Sequence, residues 1–108
     1  LVEPMLKRLG YRVTSRTDAP GALAEFEKSP DAFDLIITDM TMPNMTGVQL
    51  AQEIRKLRPG FPIIICTGFS EQMDEEKASA LGINAFLMKP VVRDQLAAAI
   101  RNVLDNHA

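Results

Sequence analysis

The sequence is poor in the residues that usually form disulfides, metal sites and large aromatic clusters. Its 108 residues include no tryptophan, one cysteine (Cys66) and one histidine (His107). A single cysteine excludes a disulfide-stapled scaffold, and its place in an apolar run predicts a buried small hydrophobe rather than a reactive thiol. His107 lies near the chain end with no partner pattern around it, where side chains seldom have a fixed role.

The sequence also lacks a strong charge excess and a long apolar run. A net charge of -2 argues against a nucleic-acid-binding surface, which is usually basic. No apolar run approaches the roughly 18 residues of a membrane span, and no secretory signal is visible. Apolar residues make up 46% and charged residues 24%, the balance of one globular domain over residues 1–108. We expect a cytoplasmic domain, either free or as the cytoplasmic part of a membrane-bound protein, that itself contacts neither nucleic acid nor membrane.

Apolar spacing in the first third predicts a helix, an edge strand and a second helix. Four residues share one helical face and are followed by Gly10: Val2, Met5, Leu6 and Leu9. Residues 11–15 alternate, which is typical of a strand. Asp18 can cap the next helix, which would carry Ala22, Leu23 and Phe26 on its inner face.

Three later apolar runs barely alternate, which is typical of parallel strands buried on both faces. They are 33–37, 63–66 and 85–88. Helical patterns follow each run: a capping box of Thr46 with Gln49, a helix from Ser70 that ends before Gly82, and a last helix with Leu96, Ile100 and Val103 inside. The alternation predicts an α/β fold, an open three-layer parallel sheet with right-handed crossovers.

Polar residues follow the three buried runs. The first run leads to Asp39, the second to Thr67 and the third to Lys89. Ligands of open parallel sheets bind beyond the carboxyl ends of the strands, where a carboxylate, a hydroxyl and an ammonium together suit a phosphoryl group. Each residue alone has a structural explanation: a turn cap, a turn residue and a solvated lysine. Their coincidence at three strand ends favours chemistry.

The stretch 33–47, FDLIITDMTMPNMTG, resembles the phosphoacceptor segment of bacterial response-regulator receiver domains. Thr67 and the Lys89-Pro90 pair lie where that family keeps a hydroxyl and a lysine, and the resemblance covers essentially the whole chain. Residues 89–96 are similar to receivers at the end of hybrid sensor kinases. The resemblance implies a flavodoxin-like, doubly wound sheet with strand order 2-1-3-4-5.

The resemblance also implies a role for each site residue. Asp39 would accept a phosphoryl group from a sensor histidine kinase or its phosphotransfer domain, with Mg²⁺ neutralising charge, Lys89 pairing with the phosphate and Thr67 donating a hydrogen bond. Phe86 matches the family's switch aromatic, although a plain core role stays open. The Lys89–Pro90 bond would be cis. Two further positions, Thr41 and Phe69, would tune the lifetime of the phosphate.

The sequence departs from the family at its start. Receivers open with a buried strand that ends in an acidic pair, whereas Leu1 already belongs to the first helix. We expect the natural protein to begin further upstream, and we expect the strand of the run 33–37, which contains Leu35, to face a gap. Only Asp39 and the Thr41 backbone carbonyl would then remain as metal ligands, so Mg²⁺ binding by this chain should be weak or absent.

Two other functions compete with the phosphoacceptor, which would catalyse only its own phosphorylation and dephosphorylation. A haloacid-dehalogenase-type phosphohydrolase needs a second acid two residues after its nucleophile, but that position is Thr41. A pseudo-receiver would be an interaction module that is never phosphorylated; the missing acidic pair favours it, and the intact Asp39, Thr67 and Lys89 oppose it. Output would pass to a downstream protein through the face of residues 70–106, whose polar helix 70–81 could equally be a solvated surface.

Overall fold

The computed structural model of the chain describes residues 2–16, 19–40, 46–68, 76, 80 and 82–106. Its elements, in chain order, are α1 (Val2–Arg8), α2 (Ala19–Lys28), a 3₁₀ turn (Pro30–Ala32), β1 (Ile36–Asp39), α3 (Gly47–Leu57), β2 (Ile63–Thr67), β3 (Ala85–Met88) and α4 (Arg93–Asn106). The predicted cap at Asp18 and most of the predicted helix 70–81 lie outside the described residues, although Glu76 and Ala80 are helical.

The three strands form one parallel sheet with the order β1-β2-β3. Asp39 of β1 is in register with Cys66 of β2, and Thr67 of β2 is in register with Met88 of β3. This register places the carboxyl ends of all three strands at the same edge. The sheet is thus the frame that brings distant parts of the sequence together at that edge.

Alternating side chains of β2 divide the core between the two faces of the sheet. Ile63 and Ile65 join a cluster that includes residues of α2 and α3. Ile64 and Cys66 join a second cluster that includes residues of α4, with α1 packed against it. Helices therefore cover both faces of a parallel sheet, which agrees with the predicted α/β class and layering.

Helix α3 begins as the sequence predicts. The Thr46 hydroxyl accepts a hydrogen bond from the Gln49 backbone N–H at 3.1 Å, and the Gln49 side chain accepts one from the Thr46 N–H at 2.9 Å. Leu50, Ala51 and Ile54 form its buried stripe. The capping box satisfies two N–H groups that a helix start otherwise leaves unpaired.

The prediction of an edge strand at residues 11–15 was wrong. Residues 11–16 adopt no regular structure, because an extended segment becomes a strand only when a neighbour pairs with its backbone, and none of the described residues does so. A groove of about 1580 Å³ is lined both by residues 11–16 and by residues of β1. The expected gap beside β1 is therefore present in the described structure.

Two expectations about the other strands need correction. The first strand begins at Ile36 rather than at Phe33, because a 3₁₀ turn ends at Ala32 and Phe33 packs its ring on Phe26, with 6.2 Å between the ring centroids. In addition, only β2 is fully buried, while β1 and β3 are partly buried and each ends in an exposed residue. Both lie at an edge of the described sheet, so each lacks a neighbour on one side.

Candidate functional site

The centre of the candidate site is a carboxylate and an ammonium at the carboxyl edge of the sheet. The Lys89 Nζ atom lies 3.3 Å from the Asp39 Oδ1 atom, and these side chains are 44% and 50% exposed. An ion pair this exposed adds little stability, about 0–1 kcal/mol. The carboxylate can be reached from solvent, and a positive charge stands beside it to balance an incoming anion.

Backbone hydrogen bonds hold this edge together beyond the ends of the strands. The Lys89 N–H donates to the Thr67 carbonyl at 2.7 Å, and the Met40 N–H donates to the Cys66 carbonyl at 2.9 Å. The peptide bond between Lys89 and Pro90 is cis, as the resemblance implies. The Lys89 backbone is thereby fixed against β2, the strand that lies beside Asp39.

Gly47 brings the start of α3 against the end of β1. Its N–H donates to the Met40 carbonyl at 2.8 Å, and a Cβ atom at this position would collide with the Asp39 carbonyl oxygen. Only glycine allows this close approach. Gly47 was not among the site residues predicted from the sequence, although it closes the stretch 33–47 that carries the resemblance.

Thr67 lies at the same edge, but its hydroxyl donates a hydrogen bond to Met88 rather than to Asp39. The residue is fully buried, and the Thr67 Oγ1 atom donates to the Met88 Sδ atom at 3.1 Å. Met88, which precedes Lys89, is 43% exposed. Met88 was not among the predicted site residues, because its pairing with Thr67 follows from the register of β2 and β3.

The remaining predicted residues differ in how far the structure describes them. Phe86 is partly buried and packs against the cluster that contains Ile63 and Ile65, so the structure shows it as a core residue, and a switching role stays a prediction. Thr41 and Phe69 lie outside the described residues.

Cys66 is a buried thiol whose pKa is affected by the charges of Asp39 and Lys89. Burial is the main reason why the pKa of its thiol rises from 9.0 to about 11; the negative charge of Asp39 raises it further, and the positive charge of Lys89 lowers it. The thiol therefore stays protonated at neutral pH and is a poor nucleophile. This agrees with the interpretation of Cys66 as a small buried hydrophobe.

The described residues contain no cluster of metal-ligating side chains of the kind that closed metal sites use. Within them, no group of three or more His, Cys, Asp or Glu side chains could hold an ion. Mg²⁺ is usually bound by one or two carboxylates together with waters and substrate phosphate oxygens, so Asp39 could supply one ligand.

In the described part of the chain, no helix has the length and apolarity needed to cross a membrane.

Comparison with known families identifies the class to which the fold and site belong. The family described as response regulator receiver domain matches residues 1–101, and the chain belongs to this family. Receiver domains act in two-component signal transduction together with histidine kinases, and apart from their own phosphorylation chemistry they are generally not catalytic.

Curated relatives include both regulators and sensor kinases. The chain is 38% identical over 109 residues to the transcriptional regulatory protein GlrR of Escherichia coli K12, a match that covers 96% of the chain and 24% of the relative. It is 36% identical over 96 residues to the sensor protein EvgS of the same strain, covering 89% of the chain and 8% of the relative. The chain thus spans about a quarter or less of these two proteins.

Solved receiver structures share the fold. A receiver domain protein from Clostridium thermocellum superposes with a TM-score of 0.90 at 30% identity, covering 97% of this chain and 83% of that one. The receiver domain of the sensor histidine kinase PA1611 from Pseudomonas aeruginosa PAO1 gives a TM-score of 0.82 at 32% identity, with coverages of 96% and 85%. The latter structure contains a magnesium ion coordinated in its active-site cleft.

Proposed function

We propose that the chain is the phosphoacceptor of a two-component phosphorelay and that Asp39 accepts the phosphoryl group. The observation that carries this proposal is the half-exposed Asp39 carboxylate, 3.3 Å from the Lys89 ammonium at the carboxyl edge of a parallel sheet. Membership of the receiver family supports it. The doubly wound strand order 2-1-3-4-5 is part of the proposal, with β1, β2 and β3 as its third, fourth and fifth strands.

In the proposed reaction, an Asp39 carboxylate oxygen attacks the phosphorus of a phosphohistidine on a sensor kinase or its phosphotransfer domain. The P–N bond breaks as the P–O bond forms, so an acyl phosphate is left on Asp39. The leaving histidine nitrogen keeps the electron pair of the P–N bond and takes a proton from water, which restores the neutral imidazole. Lys89 balances the negative charge of the incoming group, and the Thr67 hydroxyl donates to a phosphoryl oxygen.

A magnesium ion, bound in part by Asp39 and the Thr41 carbonyl, would neutralise charge on the phosphoryl oxygens. The magnesium-bound receiver of PA1611 supports this part of the proposal. Because the Asp39 carboxylate is already paired with Lys89, we expect the affinity of this chain for Mg²⁺ alone to be weak.

The output of the domain is proposed to be a protein contact made in the cytoplasm. Phosphorylation would draw Thr67 towards Asp39, Phe86 would respond, and the face of residues 70–106 would bind a downstream protein. The domain itself would contact neither nucleic acid nor membrane. Similar domains occur in a transcriptional regulator and in a sensor protein. This supports a domain that passes its signal on by protein contact in different protein contexts.

Intact mass measurement tests the proposal directly. The protein in its natural full length is incubated with acetyl phosphate and Mg²⁺ beside the variants Asp39→Asn and Asp34→Asn. Asp34 is an exposed carboxylate that precedes β1 and is a matched control. We expect one added phosphoryl group, released by hydroxylamine, in the parent and in Asp34→Asn, and none in Asp39→Asn.

Two outcomes would contradict the phosphoacceptor. A folded parent that gains no mass would favour the pseudo-receiver, a module that works by binding alone. A phosphoryl group that is still gained by Asp39→Asn would show that another residue is the acceptor.

A further inference from the structure

The hydroxyl of Thr67 is engaged in a bond that phosphorylation would have to break. It donates to the Met88 sulfur at 3.1 Å, and Thr67 is fully buried. A buried hydroxyl needs a partner, and within the described residues the Thr67 hydroxyl donates to this thioether. A hydroxyl carries one hydrogen, so it cannot donate to Met88 and to a phosphoryl oxygen at once.

The register of the sheet explains why Met88 is the partner. Thr67 and Met88 face each other across β2 and β3, and each is the last residue of its strand. Paired residues on neighbouring strands project to the same face of the sheet. The contact is therefore built into the pairing of the strands next to Lys89.

Met88 is suited to be a displaceable partner. A thioether sulfur is a weak acceptor on a flexible, unbranched side chain. At 43% exposure, the side chain has solvent on one side into which it can move. A phosphoryl oxygen is charged and is a much stronger acceptor than a thioether. Once a phosphoryl group is present on Asp39, its oxygen would therefore replace Met88 as the acceptor of the Thr67 hydrogen bond.

We propose that Met88 is a positioning residue that holds the Thr67 hydroxyl in the resting form, and that the strength of this bond sets how readily the site accepts a phosphoryl group. The inference rests on the proposed function. In this proposal Met88 acts on the reaction through its hydrogen bond with Thr67. Removing its sulfur raises the free energy of the resting form and leaves the phosphorylated form unchanged.

The test is an equilibrium titration with beryllofluoride, an anion that mimics a phosphoryl group on a carboxylate, in the presence of Mg²⁺. The full-length parent is compared with Met88→Leu, Met88→Gln and Met40→Leu, and binding is read from the NMR signal of the Thr67 methyl group. Leucine keeps the volume without an acceptor, and glutamine keeps the length with one. Met40 is a partly buried methionine packed against the core and controls for the exchange of methionine for leucine.

We expect Met88→Leu to bind beryllofluoride about two- to fivefold more tightly than the parent, the change expected from the loss of one weak hydrogen bond. Met88→Gln should bind no more tightly than the parent, because an amide oxygen accepts the Thr67 hydrogen at least as strongly as the thioether sulfur. Met40→Leu should keep the parental affinity. Equal affinities of Met88→Leu and the parent would overturn the proposal. Equal tightening in Met88→Gln would also overturn it, because the effect would then come from packing rather than from the acceptor.

Failure of the proposed function has a different signature. A folded parent that neither gains a phosphoryl group nor binds beryllofluoride removes the phosphoacceptor, and the proposed competition is overturned with it. If the parent is phosphorylated normally while Met88→Leu and the parent bind beryllofluoride alike, only the role of Met88 is refuted. Melting temperatures of all four proteins establish that each is folded at the temperature of the titration.

Discussion

Cys66 lies on the central strand, in register with Asp39, and is 2% exposed. Its pKa is raised to about 11 from 9.0, chiefly by burial, so the folded protein retains the thiol proton at pH values where the unfolded chain releases it. The contribution of Cys66 to the free energy of unfolding is therefore fully present below about pH 9, and it is lost as the pH rises towards 11. At pH 10 this group alone should remove on the order of 1 kcal/mol of the free energy of unfolding.

Urea unfolding of the parent and of Cys66→Val, at pH 7 and pH 10 in reducing buffer, measures this effect. Valine retains an apolar, strand-favouring side chain without a titrating group. The parent should lose more stability than the variant between the two pH values. Parallel losses would show that Cys66 does not carry the difference.

At the scale of single residues, the sequence predicts the position of the site better than the partners within it. Asp39, Thr67 and Lys89 were predicted together, because the carboxyl ends of parallel strands meet at one edge, and the 3.3 Å Asp39–Lys89 contact fits that prediction. The bond from Thr67 to Met88 could not be predicted, since it depends on strand register and side-chain rotamers. These are decided by packing rather than by residue type.

At the scale of the elements, the capping box of α3 is a local device whose contribution can be measured. Replacing Thr46 by alanine removes the hydroxyl that accepts from the Gln49 N–H and should cost about 1 kcal/mol. Thr46→Ser retains the hydroxyl and should lose far less. Urea denaturation of both variants checks this, and equal losses would show that the hydroxyl bond contributes nothing.

Elements whose signal is local were the best predicted. The capping box of α3 and the apolar runs of β2 and β3 are contained in short windows of sequence. Residues 11–15 carry an equally regular alternation but form no strand. Alternation reports which side chains could face a core, whereas a strand also needs a backbone partner from elsewhere in the chain, and a short window contains no information about that partner.

At the scale of the whole molecule, the sheet is asymmetric, with a fully buried β2 and a groove beside β1. The Ile36 N–H donates to the Pro62 carbonyl, just before β2, and the Met40 N–H donates to the Cys66 carbonyl within β2. Alternation along a parallel strand then points the N–H groups of Ile37 and Asp39 away from β2, towards the groove.

Hydrogen exchange followed by NMR should reveal this asymmetry. We expect the amides of Ile37 and Asp39 to exchange at least about tenfold faster than those of Ile36 and Met40, because they lack a ladder partner among the described residues. The neighbouring amides of the same strand are the internal control. Equal protection of all four would mean that the groove edge of β1 is covered in solution.

The groove also affects the calorimetry of the domain. The heat capacity change of unfolding comes mainly from apolar surface that folding removes from water, about 12–15 cal/mol/K per residue in typical domains. Apolar side chains that line the 1580 Å³ groove, among them Leu35 and Ile37, are already partly hydrated in the folded chain and add less to that change. The heat capacity increment of this chain should therefore fall below the value expected from its 108 residues, and its stability curve should be correspondingly flatter with temperature.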